Sequence, residues 1–101
     1  MNDLKNKKII ITGATGGIGS SIIKKLYGQG VNVLASGTRV EKLEELKKNF
    51  HNIKTLKFDI SQSENIETFI ENASKALDGN IDCIINNAGI NQDNLAIRMS
   101  L

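Results

Sequence analysis

Near the N-terminus the chain reads Ile9-Ile10-Ile11-Thr12-Gly13-Ala14-Thr15-Gly16-Gly17-Ile18-Gly19. An apolar run breaks into a turn holding four glycines, and a helix-compatible stretch follows. A strand that ends this way and opens a helix builds an anion site from backbone alone. The first N–H groups of the helix have no intrahelical partners, its dipole favours negative charge, and glycines let a phosphate come close. A plain strand-to-helix turn is the bland alternative, but such a turn needs only one or two glycines.

The same periodicity continues downstream. Lys8 to Thr12 reads as a first strand and Gly17 to about Leu26 as a first helix, with Gly28 and Gly30 as its left-handed stop. Val31 to Ser36 is a second strand. Val40, Leu43, Leu46 and Phe50 then share one helical face, and Thr38 with Glu41 reads as a capping box. Ile53 to Phe58 is a third strand. Ser61 with Glu64 reads as another capping box, opening a helix with an apolar stripe of Ile66, Phe69, Ile70, Ala73 and Leu77 that ends at Gly79. Ile81 to Ile85 is a fourth strand, almost wholly apolar. The order βαβαβαβ with short turns implies an α/β fold, the first half of a doubly wound, Rossmann-like parallel sheet with spatial order 3-2-1-4. The fourth strand is then expected at an open apolar edge, which soluble proteins rarely leave uncovered. The expectation is a truncated or partial nucleotide-binding domain over residues 1–101, or one completed by another polypeptide.

Composition narrows the class. The chain is 40% hydrophobic and 24% charged, which reads as globular rather than disordered. A net charge of +2 and few aromatic residues argue against a nucleic-acid partner. Cys83 is the single cysteine, so an internal disulfide and a cysteine-cluster metal site are excluded; beside Ile84 and Ile85 it reads as a buried structural thiol. The N-terminus lacks the long apolar segment of a signal peptide and no apolar run reaches membrane-spanning length, so no membrane partner and a cytoplasmic location are expected. His51 reads as a solvated residue at a helix-to-strand turn.

Three phosphate motifs compete for the glycine turn. A P-loop needs a lysine followed by Ser or Thr at the helix start, and no lysine lies between Lys8 and Lys24. The strict G-x-G-x-x-G fingerprint also fails, because Gly13, Gly17 and Gly19 run as G-x-x-x-G-x-G. What remains, T-G-x-x-x-G-x-G, resembles the short-chain dehydrogenase/reductase family. Gly13, Gly16 and Gly19 equally satisfy T-G-x-x-G-x-x-G, the pattern of that superfamily's extended, epimerase-like branch, so the turn alone leaves the branch open. Asn86-Asn87-Ala88-Gly89 after the fourth strand resembles the classical branch and breaks the tie. The tail Gly89-Ile90-Asn91-Gln92-Asp93-Asn94-Leu95-Ala96-Ile97-Arg98-Met99 resembles the bacterial 3-oxoacyl-acyl carrier protein reductases.

In a dinucleotide fold, the residue closing the second strand meets the adenosine ribose: a carboxylate suits NAD, an arginine the 2′-phosphate of NADP. Here Ala35-Ser36-Gly37-Thr38-Arg39 offers no acid, and Arg39 can give a bidentate charge-assisted contact. A solvated charge at a helix start is the alternative for Arg39. Many NADP-preferring relatives carry a second basic residue in the glycine turn, where this chain has Gly16. The resemblance implies further that Gly13, Ala14, Thr15, Gly16, Gly17, Ile18 and Gly19 hold the pyrophosphate side of NADP(H), with Thr38 and Arg39 at the ribose phosphate. It implies that Asp59 and Ile60 lie against adenine, and that Asn87, Ala88 and Gly89 form the floor beneath the cofactor.

The family's chemistry uses a tyrosine as general acid, a lysine four residues on that lowers its pKa, and a serine on the carbonyl. The single tyrosine here is Tyr27, four residues before Val31, and it reads as packing; no catalytic residue is assigned within the chain. By resemblance the complete activity is NADPH-dependent reduction of a 3-oxoacyl thioester to its 3-hydroxyacyl form. The substrate is linked to acyl carrier protein, in a homo-oligomer that is a tetramer in the family. A catalytically inactive nucleotide-binding module, or another short-chain reductase, is the alternative.

Overall fold

The computed structural model describes residues 4–14, 16–59, 63–87 and 96–99. Lys8–Thr12 forms β1, Asn32–Gly37 β2, Lys54–Lys57 β3 and Cys83–Asn86 β4. The helices are α1 (Gly17–Gly28), α2 (Val40–Asn49) and α3 (Ile66–Ala76). These four strands are parallel and stand in the order β3-β2-β1-β4, as the alternation of strands and helices requires.

The pleat of β1 divides the core in two. Ile9 and Ile11 face α1 and α2, where they meet Val33, Ala35, Cys83 and Ile85 from the sheet and Ile23, Leu43 and Leu46 from the helices. Ile10 points the other way, with Leu34, toward Phe69, Ala73 and Leu77 of α3. A strand apolar at every position is what a sheet covered on both faces demands. Tyr27 packs edge-on against Phe50 with ring centroids 5.1 Å apart, the packing role expected of it. The Cys83 thiol is buried and lifted above its ordinary pKa, first by desolvation and then by the neighbouring Asp82 carboxylate.

The structure corrects several expectations. α1 continues through Gly28, which stays helical; its stop comes after the C-cap Gln29, at Gly30, where φ is +77°. Helix α2 has Arg39, not Thr38, at its N-cap, without a side-chain cap bond, so the Thr38/Glu41 box does not form. Helix α3 starts late, at Ile66 behind a 3₁₀ turn Ser63–Asn65, with Asn65 at the N-cap. Ser61, the expected cap, lies outside the described residues. Val40 and Ile66, expected on buried stripes, are 47% and 40% exposed. Finally, β4 is not an edge: β5 (Ala96–Met99) pairs with it antiparallel, Ile84 opposite Arg98 and Ile85 opposite Ile97. Periodicity could not announce that strand, because pairing to an open neighbour, rather than local pattern, places it.

Candidate dinucleotide-binding site

The site forms at the carboxyl ends of the parallel strands, where a doubly wound sheet opens its crevice. β1 ends at Thr12, which lies in register with Asn86 at the end of β4. The Thr12 hydroxyl donates to Asn86 Oδ1 at 3.0 Å and accepts from the Asn87 backbone N–H at 3.0 Å. Asn87 then donates from its side-chain amide to the Gly13 carbonyl at 3.1 Å. On the other flank the Ala14 N–H donates to the Ser36 carbonyl of β2 at 2.9 Å. The glycine turn is thus fastened to both neighbouring strands before any ligand arrives, which lowers the ordering cost of binding.

Two of the glycines are required by the protein's own geometry. Gly13 has φ +63°, a conformation that L side chains rarely adopt. At Gly19 an added Cβ would come to 2.7 Å from the Gly13 carbonyl oxygen and 2.8 Å from Ala14 Cα, so α1 can approach the turn only without it. Gly16 and Gly17 are different. A Cβ at Gly17 would meet nothing within 4 Å, and one at Gly16 only the Gly13 oxygen at 4.0 Å. Neither packing nor a positive φ calls for glycine there, and both face open space at the head of α1. That space suits a group that must lie against the backbone. Among the described residues no side chain caps α1, and its first turn carries no acid, so its N–H groups and dipole point at this cradle. The residues present therefore fit a pyrophosphate at this turn.

Farther along the same end of the sheet, the exits of β2 and β3 are joined where the Phe58 N–H donates to the Gly37 carbonyl at 3.0 Å. Thr38 and Arg39 follow Gly37 and are exposed, while Asp59, half-buried, follows Phe58. The exposed guanidinium stands at the head of α2, where the dipole disfavours a cation and a bound phosphate would offset that cost. Ile18 is 49% exposed in the first turn of α1. Of the expected site, Gly13, Ala14, Gly16, Gly17, Ile18, Gly19, Thr38, Arg39, Asp59 and Asn87 stand at this one end of the sheet. Thr15, Ile60, Ala88 and Gly89 lie outside the described residues. Sequence reasoning missed the hub of the network. Thr12 closes a run of three isoleucines with a hydroxyl, and that is a signal in itself.

A family model described as short chain dehydrogenase matches residues 7–101. Nodulation protein G of Rhizobium sp. (strain N33) is 40% identical over 101 residues, 99% of this chain and 41% of that protein. The 3-oxoacyl-[acyl-carrier-protein] reductase FabG of Rickettsia conorii is 40% identical over 100 residues, 98% of this chain and 39% of its own length. Among solved structures, a short-chain dehydrogenase/reductase from Brucella melitensis superposes with a TM-score of 0.78 at 29% identity, covering 89% of this chain and 39% of that one. A short chain dehydrogenase from Bacillus anthracis gives 0.76 at 33% identity, covering 86% and 36%. The chain spans about two fifths of the length of these relatives. Parallel sheet, family model and relatives agree: the chain belongs to the short-chain dehydrogenase family of oxidoreductases.

Proposed function

We propose that this chain binds NADP(H), as the cofactor-holding part of an enzyme that reduces a 3-oxoacyl thioester to the 3-hydroxyacyl form. The observation that carries the cofactor choice is Arg39, exposed at the head of α2 directly beyond β2, with no carboxylate between Ala35 and Arg39 to repel a 2′-phosphate. In this reading Gly16, Gly17 and the first turn of α1 hold the pyrophosphate, and Thr38 and Arg39 the ribose phosphate. Asp59 and Ile60 lie against adenine, and Asn87, Ala88 and Gly89 carry the floor. The bound nicotinamide supplies the hydride; what these residues do is orient it and exclude alternatives to the phosphorylated ribose. The thioester substrate, delivered on acyl carrier protein in the cytoplasm to a homo-oligomer, is supported by relatives named as 3-oxoacyl-[acyl-carrier-protein] reductases at 36–40% identity.

Fluorescence titration with NADPH and NADH tests the cofactor assignment. The expected outcome is tighter binding of NADPH, about tenfold or more, with the preference abolished in Arg39→Ala. NADH preference in the unsubstituted chain, or an unchanged ratio in the variant, overturns the cofactor assignment.

A further inference from the structure

β3 is the outermost strand on one side of the sheet, and among the described residues no strand lies beyond it. Its pairing with β2 fixes which way its backbone points. The Phe58 N–H donates to the Gly37 carbonyl, and Leu56, two residues earlier, stands in register with Ser36. Backbone polar groups alternate sides along a strand, so those of Thr55 and Lys57 are turned outward, away from β2. The pleat sorts the side chains in the same way. Leu56 and Phe58 pack with the cluster under α3, which places Lys54 on that face and Thr55 and Lys57 on the other.

Beside this open edge runs a cleft of about 140 Å³ between β3 and α3. Leu56 and Phe58 line it from the strand, Thr68, Phe69 and Asn72 from the helix, and the Phe58 and Phe69 rings stack at 4.2 Å. β2 stands between this flank and the glycine turn that follows β1. A free strand edge beside a helix is a setting in which an extended peptide adds itself as a strand. Backbone bonds then supply affinity, and alternate side chains supply selectivity. Charge decides the occupant. Lys57 is the one charged residue lining the cleft, and Lys54 and Lys57 are both exposed along the edge. Such lysines blunt an edge against self-pairing, since a second copy would bring a matching pair to the seam. They leave it open to a strand of opposite charge.

We propose that the β3 edge and its cleft dock an extended acidic segment of another protein, added antiparallel to β3 as a sixth strand. The register dictates a pattern for that segment: a carboxylate opposite Lys57, an aliphatic residue opposite Leu56, any residue opposite Thr55, and a carboxylate opposite Lys54. Residues opposite Thr55 and Lys57 exchange backbone bonds with β3. The one opposite Leu56 falls in the closer, non-hydrogen-bonded pair, which presses its side chain toward the cleft.

The fluorescein-labelled hexapeptide Ser-Glu-Val-Thr-Glu-Ser is titrated against the chain by anisotropy, with Ser-Lys-Val-Thr-Lys-Ser as its counterpart. The acidic peptide is expected to bind saturably, about tenfold or more tighter than the lysine peptide. Because both lysines are exposed, Lys54→Glu/Lys57→Glu is expected to keep the urea midpoint while reversing the order of the two peptides. N-methylated acidic peptides, read on the unsubstituted chain, separate strand addition from charge attraction alone. Methylation at the threonine, whose N–H faces β3, is expected to abolish binding; at the valine, whose N–H faces away, it is tolerated. Absence of binding by the acidic peptide, an unreversed order in the double variant, or equal effects of the two methylations overturns the proposal.

Discussion

Gly17 and Gly19 are two residues apart in one turn, yet glycine answers a different demand at each. At Gly19 the demand is internal: a methyl group would press within 2.8 Å of the Gly13 oxygen and Ala14 Cα, both backbone atoms that cannot step aside. Gly19→Ala is expected to cost about 1–3 kcal/mol of stability through overpacking, and to weaken dinucleotide binding because the turn must shift. At Gly17 the space is open, so Gly17→Ala is expected to leave stability unchanged or raise it by up to about 1 kcal/mol, alanine being the better helix former. Its penalty falls on the ligand, whose phosphates lose close approach to the head of α1. Urea denaturation and NADPH titration of the two variants check this: equal losses of stability would erase the distinction between a packing glycine and a cradle glycine. The sequence made four glycines conspicuous but could not sort them, because the sorting depends on where Gly13 and Ala14 lie relative to α1. For the same reason Thr12 stayed inconspicuous. Its three-way contact with Asn86 and Asn87 joins positions 74 and 75 residues apart, a proximity only the β1–β4 register creates.

Arg39 shows how a single position can serve an element badly and a ligand well. As N-cap of α2 it makes no side-chain bond to the first turn and puts a cation at the positive end of the dipole. An aspartate would accept from the free N–H groups and reverse that charge. Arg39→Asp is expected to stabilise the chain by about 0.5–2 kcal/mol, seen as a higher urea midpoint, while turning the nucleotide preference toward NADH. A drop in stability would mean that Arg39 holds the fold through contacts other than the cap. The exposed methylene of Gly28 makes a companion case without a functional cost. It is the last residue of α1, with open space around its missing Cβ, so Gly28→Ala should add up to about 0.5–1 kcal/mol. At this scale the strands and helices were readable from periodicity, since each buries a face with its own repeat. Their ends were harder. Thr38/Glu41 matched a capping box by letter, but the chain leaves β2 extended through Arg39, φ −102° and ψ 102°, and the cap falls one residue later. β5 escaped altogether because nothing in Ala96 to Met99 alternates cleanly; its strand state is conferred by the unpaired side of β4.

For the molecule as a whole, the consequential fact is that the two faces of the sheet are unequally dressed. α1 and α2 share one face with a broad apolar cluster, while α3 alone covers the other, gripping the sheet chiefly through Ile10 and Leu34. β1 stands between β2 and β4, and Ile10 and Ile11 are fully buried. Equal truncations of these neighbours should therefore have unequal reach. Either Ile10→Ala or Ile11→Ala removes a buried aliphatic side chain and should cost about 2–5 kcal/mol, a large share of the 5–15 kcal/mol typical of a domain. The loss at Ile11 is spread over a cluster drawn from α1, α2 and the strands β1, β2 and β4, so it lowers the global stability without freeing one element. The loss at Ile10 falls on the smaller cluster that holds α3, where Leu34 and the stacking of Phe69 on Phe58 are its other attachments. Native-state hydrogen exchange in Ile10→Ala is expected to show the amides of Phe69 to Leu77 exchanging by local opening, ahead of those of α1 and α2, whereas in Ile11→Ala all three helices fall together. Uniform loss of protection in both variants would mean that α3 is no more separable than its partners, and that the sheet's two faces form one cooperative core.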